Sequence, residues 1–175
     1  MNNLITLLLF TLIFISCDKE DNPQPTNPVD QLPPATQVGA NKVGCLLDGV
    51  AFLPDNSQNS TNCFYQFTNG GYYFALSLNK RDLNNNLIGI NIGTNSKQIF
   101  EGEQYQLLEY IPNNASAAYI FNLNQNFTTA NYTGVLTITK LTNQIVSGTF
   151  WFDVQDQNGV IHQIREGRFD MLYTN

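Results

Sequence analysis

The chain is poor in the residues on which most hydrolytic and metal-dependent enzymes rely. Among 175 residues there is one histidine, His162, and there are three cysteines. A Ser-His-Asp or Cys-His centre needs a base beside its nucleophile. His162 lies on an alternating segment with Ile164, next to an Asn-Gly turn, which is the setting of a surface or rim residue. Zinc sites draw on several Cys or His ligands, and the chain has too few; no metal or other cofactor is expected. Basic residues are also scarce. Eight Lys and Arg stand against fourteen Asp and Glu, giving a net charge of −6. Such a chain, with no Lys/Arg cluster, is a poor partner for a phosphate backbone, so nucleic acid is excluded as a partner. Charged residues make up only 13%, about half the usual share, and Asn, Thr, Gln and Ser supply much of the polarity. Long apolar runs are missing as well. The longest, Leu4 to Ile15, is about a dozen residues, short of the roughly 20 that a spanning helix needs.

What is present is 12% aromatic residues, twelve Phe and eight Tyr, enough for a β-rich core. The length suits one domain. The apolar run at Leu4 to Ile15 fits the core of a secretion signal, although Met1, Asn2 and Asn3 before it carry no Lys or Arg. It ends in Phe14-Ile15-Ser16-Cys17. This stretch resembles the bacterial lipobox, where a cysteine thiol receives a diacylglyceryl group and the chain is cleaved before it. Ser16 fits the small residue of that pattern; Phe14 stands where Leu is preferred. Several acyl chains on one residue anchor stably, since each buried CH₂ contributes about 0.8 kcal/mol. Lys19-Glu20-Asp21 follows, and resembles the lysine-plus-two-acids export signal of Bacteroidota surface lipoproteins. A solvated charged tether is the alternative reading.

Five of the seven prolines then fall at Pro23, Pro25, Pro28, Pro33 and Pro34. Proline removes backbone donors and favours extended conformations, so this stretch reads as a semi-rigid tether. The expected organisation is a signal peptide over 1–16, a lipidated cysteine and Pro-rich tether over 17–40, and a β-rich domain over 41–175.

From about Asn41 the hydrophobic period is two. Asp48-Gly49 is a strong two-residue hairpin signal, and places Val43, Cys45, Leu47, Val50 and Phe52 on one face. A second hairpin around Asn69-Gly70-Gly71 sets Cys63, Tyr65 and Phe67 on the same face as Tyr72, Phe74, Leu76 and Leu78. Leu87 to Ile92, Tyr105 to Leu108, Ala117 to Leu123, Val135 to Leu141, Ile145 to Val154 and Gly167 to Tyr173 are further strands. A three-residue loop at Asn158-Gly159 brings Phe152 and Val154 into phase with His162 and Ile164. Frequent turns and about nine or ten short strands predict an all-β fold, a single antiparallel sandwich or barrel.

Several constellations invite a chemical reading. Asp82-Leu83-Asn84-Asn85-Asn86 alternates oxygen ligands as calcium loops do, yet Leu87 and Gly93 stand where Gly and Glu belong, which favours a plain Asn-rich turn. Glu101, Glu103 and Glu109, and later Asp153 and Asp156, are the acids from which a carboxylate-based glycan hydrolase would draw its pair. Tyr72, Tyr73, Tyr105, Tyr110, Tyr119, Tyr132 and Trp151 would stack on sugar rings if they face outward, though most alternate as core residues do. Cys45 and Cys63 fall on apolar faces of neighbouring hairpins. An exported chain permits a disulfide between them; two buried thiols are the alternative.

Two segments carry a family resemblance. Residues 32 to 54, LPPATQVGANKVGCLLDGVAFLP, and 138 to 173, ITKLTNQIVSGTFWFDVQDQNGVIHQIREGRFDMLY, resemble Bacteroidota lipoproteins of unknown function. Those proteins similarly carry a Pro-Pro-Ala-Thr-Gln opening, a Gly-Cys strand and a closing Gly-Thr-Phe and Gly-Arg-Phe-Asp pair. The resemblance implies an outer-membrane lipoprotein with a β-rich domain and transfers no catalytic residues. On this reading the protein is held to the membrane by its lipid and faces the cell exterior. It acts there as a non-catalytic binding or accessory module for a glycan or an envelope protein. A glycan hydrolase and a structural envelope protein are the alternatives.

The lipid anchor is open to a direct check. Mass spectrometry of the native protein should find an acylated Cys17 as the first residue of the mature chain. Cys17→Ala should leave an unlipidated protein or an uncleaved precursor. An unmodified Cys17 in the mature chain would contradict the assignment.

Overall fold

The computed structural model describes residues 27–57 and 59–174. The signal peptide, Cys17 and the Lys19-Glu20-Asp21 segment lie outside the described residues. The first described element is one turn of 3-10 helix, Pro28–Gln31, capped by Asn27 Oδ1, which accepts from Val29 N at 3.3 Å. Eleven strands follow: β1 Lys42–Leu47, β2 Val50–Phe52, β3 Thr61–Thr68, β4 Gly71–Arg81, β5 Leu87–Thr94, β6 Gln104–Leu107, β7 Ala115–Phe121, β8 Asn124–Phe127, β9 Gly134–Leu141, β10 Ile145–Gln155 and β11 Ile161–Leu172.

All eleven strands belong to one sheet, in the order β2-β1-β11-β10-β9-β6-β7-β5-β4-β3, with β8 beside β7. The all-β expectation holds, with two corrections. There are eleven strands, and one contact, β6 with β7, is parallel. The sheet is not closed by a full ladder. Thr174, just past β11, also bonds to β3 at the end of the strand order: Tyr65 N donates to Thr174 O at 3.1 Å, and Thr174 N to Cys63 O at 3.2 Å.

The hairpins form where left-handed backbone is available. Asp48 and Gly49 both have positive φ, at 52° and 81°, and Leu47 pairs with Val50. Asn69 and Gly70 do the same at 50° and 80°, which leaves Thr68 opposite Gly71. At the β10–β11 turn Phe152 pairs with Ile164 and Val154 with His162, the phase the sequence predicts, across a loop of Asp156 to Val160 rather than three residues. The segments around Ile164 and Phe169 form one continuous strand, β11, whose register shifts near Glu166, at φ 54°. That irregularity hides the continuity from a period-two reading.

The inner face is one apolar core. It runs from Val43, Cys45 and Phe52 through Phe74, Leu76, Leu78, Ile90 and Ile92 to Leu136, Ile138, Phe152, Ile164 and Phe169. Cys45 and Cys63 are both in it, and both are free thiols; the proposed disulfide is corrected. Cys45 sits opposite Phe52 and Cys63 opposite Leu76, on strands that never pair with each other. Burial pushes each thiol up to about 12, so both are packing groups, not nucleophiles.

One acid organises the amino-terminal side. Asp170, on β11, is 1% exposed. Its carboxylate accepts from Thr36 Oγ1 at 2.6 Å, Ser147 Oγ at 2.7 Å, Gly39 N at 2.8 Å, Val38 N at 3.0 Å and Ala40 N at 3.1 Å. Residues 36–40 are thereby strapped across β10 and β11. Upstream, Leu32 is buried, and a Cβ on Gly44 would meet Leu53 Cδ2 at 2.7 Å and Pro33 Cδ at 2.9 Å. Glycine at position 44 leaves room for Pro33 and Leu53 against β1. Burial alone would raise the Asp170 pKa, but the donors from Thr36, Ser147, Val38 and Ala40 outweigh it and hold the group well below the usual carboxylate range.

Because the folded pKa is depressed, the stabilisation is fully present above the unfolded value of about 3.9 and is lost as pH falls below it. Asp170→Asn should cost about 2–4 kcal/mol at pH 7, read from urea unfolding of the full chain. The gap between wild type and variant should narrow below about pH 4. A gap that stays constant with pH would show that the charge is not what holds the strap.

Candidate functional site

Alternation in β3, β4, β5, β7 and β8 sends one set of side chains to the core and the other to the outer face. The outer set aligns in two rows across the strands. Phe64 stands opposite Ala75, Ala75 opposite Gly93, and Gly93 opposite Ser116. In the next row Ser77 faces Asn91, Asn91 faces Ala118, and Ala118 faces Phe127. The two rows carry Ala, Gly, Ser and Asn, with Phe64 closing one row and Phe127 the other, so the outer face is hollowed into a groove of about 270 Å³. Gly93 is required in this floor, because a Cβ there would lie 2.5 Å from Phe74 O.

The walls are built from both sides. Phe64 and Tyr73 stand on the β3–β4 side. On the other, Tyr110 stacks on Phe127 with ring centroids 5.3 Å apart and planes at 20°. Tyr110 belongs to the loop before β7, and that loop is held by side chains. Thr128 Oγ1 donates to Leu108 O at 2.6 Å and accepts from Ala117 N at 3.0 Å. Glu109 Oε1 accepts from Ala130 N at 2.9 Å, and Asn114 Nδ2 donates to Glu109 O at 3.1 Å. Tyr110 is nevertheless 58% exposed, an aromatic ring held at the mouth of a groove.

The lining contains no Asp, Glu, Lys, Arg or His. Its polarity comes from Ser77, Asn91, Thr94, Ser116 and Gln125. Among the described residues, Asn91 Oδ1 is the one enclosed side-chain oxygen or nitrogen without a hydrogen-bond partner. An unmade hydrogen bond at an enclosed acceptor costs about 1–3 kcal/mol, so Asn91 is held in this floor at a cost to the fold.

The residues singled out by sequence fall elsewhere for the most part. Tyr73 and Tyr110 line the groove, whereas Tyr105 and Tyr119 are buried in the core. Trp151 has the Arg165 guanidinium 5.4 Å from its ring centre, and Arg165 pairs with Asp153 at 2.6 Å. His162 Nδ1 lies 2.8 Å from Asp48 Oδ2, and its ring packs 4.1 Å from that of Tyr119. Glu101 accepts from Leu141 N at 2.9 Å and pairs with Lys140. Asp156 accepts from Asn158 N and Val160 N, each at 2.8 Å, and Asp82 does the same for Asn84 N and Asn86 N at 2.9 and 2.8 Å. Both aspartates are therefore turn caps. The Asn86 side-chain amide, with the main-chain donors of Asn86 and Asn84, holds Asp82 below the usual carboxylate range, and the main-chain donors of Val160 and Asn158 do the same for Asp156. The structure does not gather these acids at one groove. Phe64, Asn91, Gln125 and Phe127 were not legible as site residues. The available signal was the run of small residues at alternate outward positions.

Fold and groove together define an all-β domain with an uncharged, aromatic-walled cleft on one sheet face. No family model matches the chain, and neither does any curated protein or solved structure.

If the Asn91 acceptor is unsatisfied in the free protein, removing it should not weaken the fold. Asn91→Leu is expected to raise stability by about 1–2 kcal/mol, measured as a shift in the urea midpoint without a change in slope. A destabilised variant would mean that Asn91 serves packing instead.

Proposed function

We propose that the protein is a lipid-anchored binding module of the cell envelope, attached through Cys17 to the outer membrane and displayed on its outer side. The observation that carries the binding role is the groove on the β3–β8 face. Aromatic side chains beside uncharged hydroxyl and amide groups in one cleft are what a recognition site presents. The anchor is supported by the apolar run ending at Ser16-Cys17, and surface display by the resemblance of Lys19-Glu20-Asp21 to an export signal. The resemblance of residues 32 to 54 and 138 to 173 to Bacteroidota lipoproteins points the same way. The two segments that carry it meet in space, where Asp170 of the closing segment binds Thr36 of the opening one. That junction gives the resemblance a structural meaning, a strap locked to its sheet, and leaves binding to the opposite stretch of strands.

Display can be tested on cells. Protease added to intact cells should remove the domain, and replacing Lys19, Glu20 and Asp21 together with Ala should protect it. Equal protection of both forms would place the protein on the inner side of the outer membrane.

A further inference from the structure

We propose that the groove takes a neutral saccharide; this rests on the binding role above and names its ligand. Three observations select the class. First, the lining holds no Asp, Glu, Lys, Arg or His, so a charged ligand would lose its hydration there without a counter-charge. Second, rings stand on both sides of the floor, Phe64 and Tyr73 facing Tyr110 and Phe127. They suit a flat ligand whose faces are C–H and whose edge is polar, which is the character of a sugar ring. Third, the uncharged hydroxyls and amide of Ser77, Ser116 and Gln125 lie in the lining beside the rings, and sugar hydroxyls both donate to and accept from such groups.

The same observations disfavour two rivals. An apolar ligand would cover these hydroxyls and this amide without offering them a partner, at a desolvation cost for each. An extended peptide binds a sheet through main-chain hydrogen bonds at an open strand edge. Here the floor is the face of β4, β5 and β7, whose edges are occupied: β4 lies between β3 and β5, and β5 between β4 and β7. The face offers side chains only.

Affinity electrophoresis of the full chain in detergent tests this, with gels containing dextran, xylan, mannan, laminarin or galactan, and polygalacturonate as the anionic counterpart. At least one neutral polysaccharide should retard the wild type. Tyr110→Ala and Asn91→Leu should each weaken that retardation at least tenfold, with thermal melts confirming that both variants are folded. In parallel, envelope material captured by the wild type but not by Tyr110→Ala should be destroyed by periodate. Retardation by polygalacturonate alone, or captured material that resists periodate and yields to protease, would overturn the saccharide while leaving the groove a binding site. Identical behaviour of wild type and variants in every gel and capture would overturn both.

Discussion

The buried carboxylate of Asp170 is the interaction that ties the amino-terminal side of the molecule together. It lies on the outer face of β11, where an acid would ordinarily be solvated, and it is enclosed because residues 36–40 fold over it. A buried carboxylate is tolerated only when its oxygens are fully engaged. Two hydroxyls and three main-chain amides meet that demand, one hydroxyl coming from β10. Strap, β10 and β11 are therefore fixed as a unit. Upstream of the strap, Leu32 and Pro33 lie against Gly44 of β1, where a larger residue would displace them.

The opposite stretch of the sheet follows different logic. On β4 and β5 the inner face carries Phe, Leu and Ile, while the outward positions of β4, β5 and β7 that floor the groove carry Ala, Ser, Gly and Asn in register. Small outward residues forgo burial that larger ones would supply, and Asn91 adds an unmade hydrogen bond. A fold under selection for stability alone would fill this face. Its hollowness, flanked by aromatic rings, matches the trade of stability for function common at binding sites. No residue of the strap, β1, β2, β10 or β11 lines the groove, so the clamp holds the amino-terminal segment without covering the cleft.

Much of the fold was legible because it is local. Asp48-Gly49 and Asn69-Gly70 declare their turns, and parity then dictates which side chains share a face. Strand β8 was not legible, because Asn124-Gln125-Asn126-Phe127 has no apolar alternation and pairs only through its neighbour β7. Asp170 alternates with Phe169 and Met171 and so reads as a solvent-facing acid; its partners lie 130 to 134 positions away in the strap. The groove depends on strand order. Its floor exists only because β5 sits between β4 and β7, and no periodicity in the chain states that neighbour. The expected disulfide failed because facing inward does not bring two side chains together: strand order, not parity, sets where Cys45 and Cys63 lie across the core.

Amide hydrogen exchange on the full chain tests the Asp170 clamp most directly. Val38, Gly39 and Ala40 lie outside every strand, so ordinary loop amides would exchange within the dead time of the measurement. The account predicts that these three amides are protected, and that Asp170→Asn exposes them while the amides of β4, β5 and β7 keep their protection. Rapid exchange of Val38, Gly39 and Ala40 in the wild type, or protection unchanged in the variant, would contradict it.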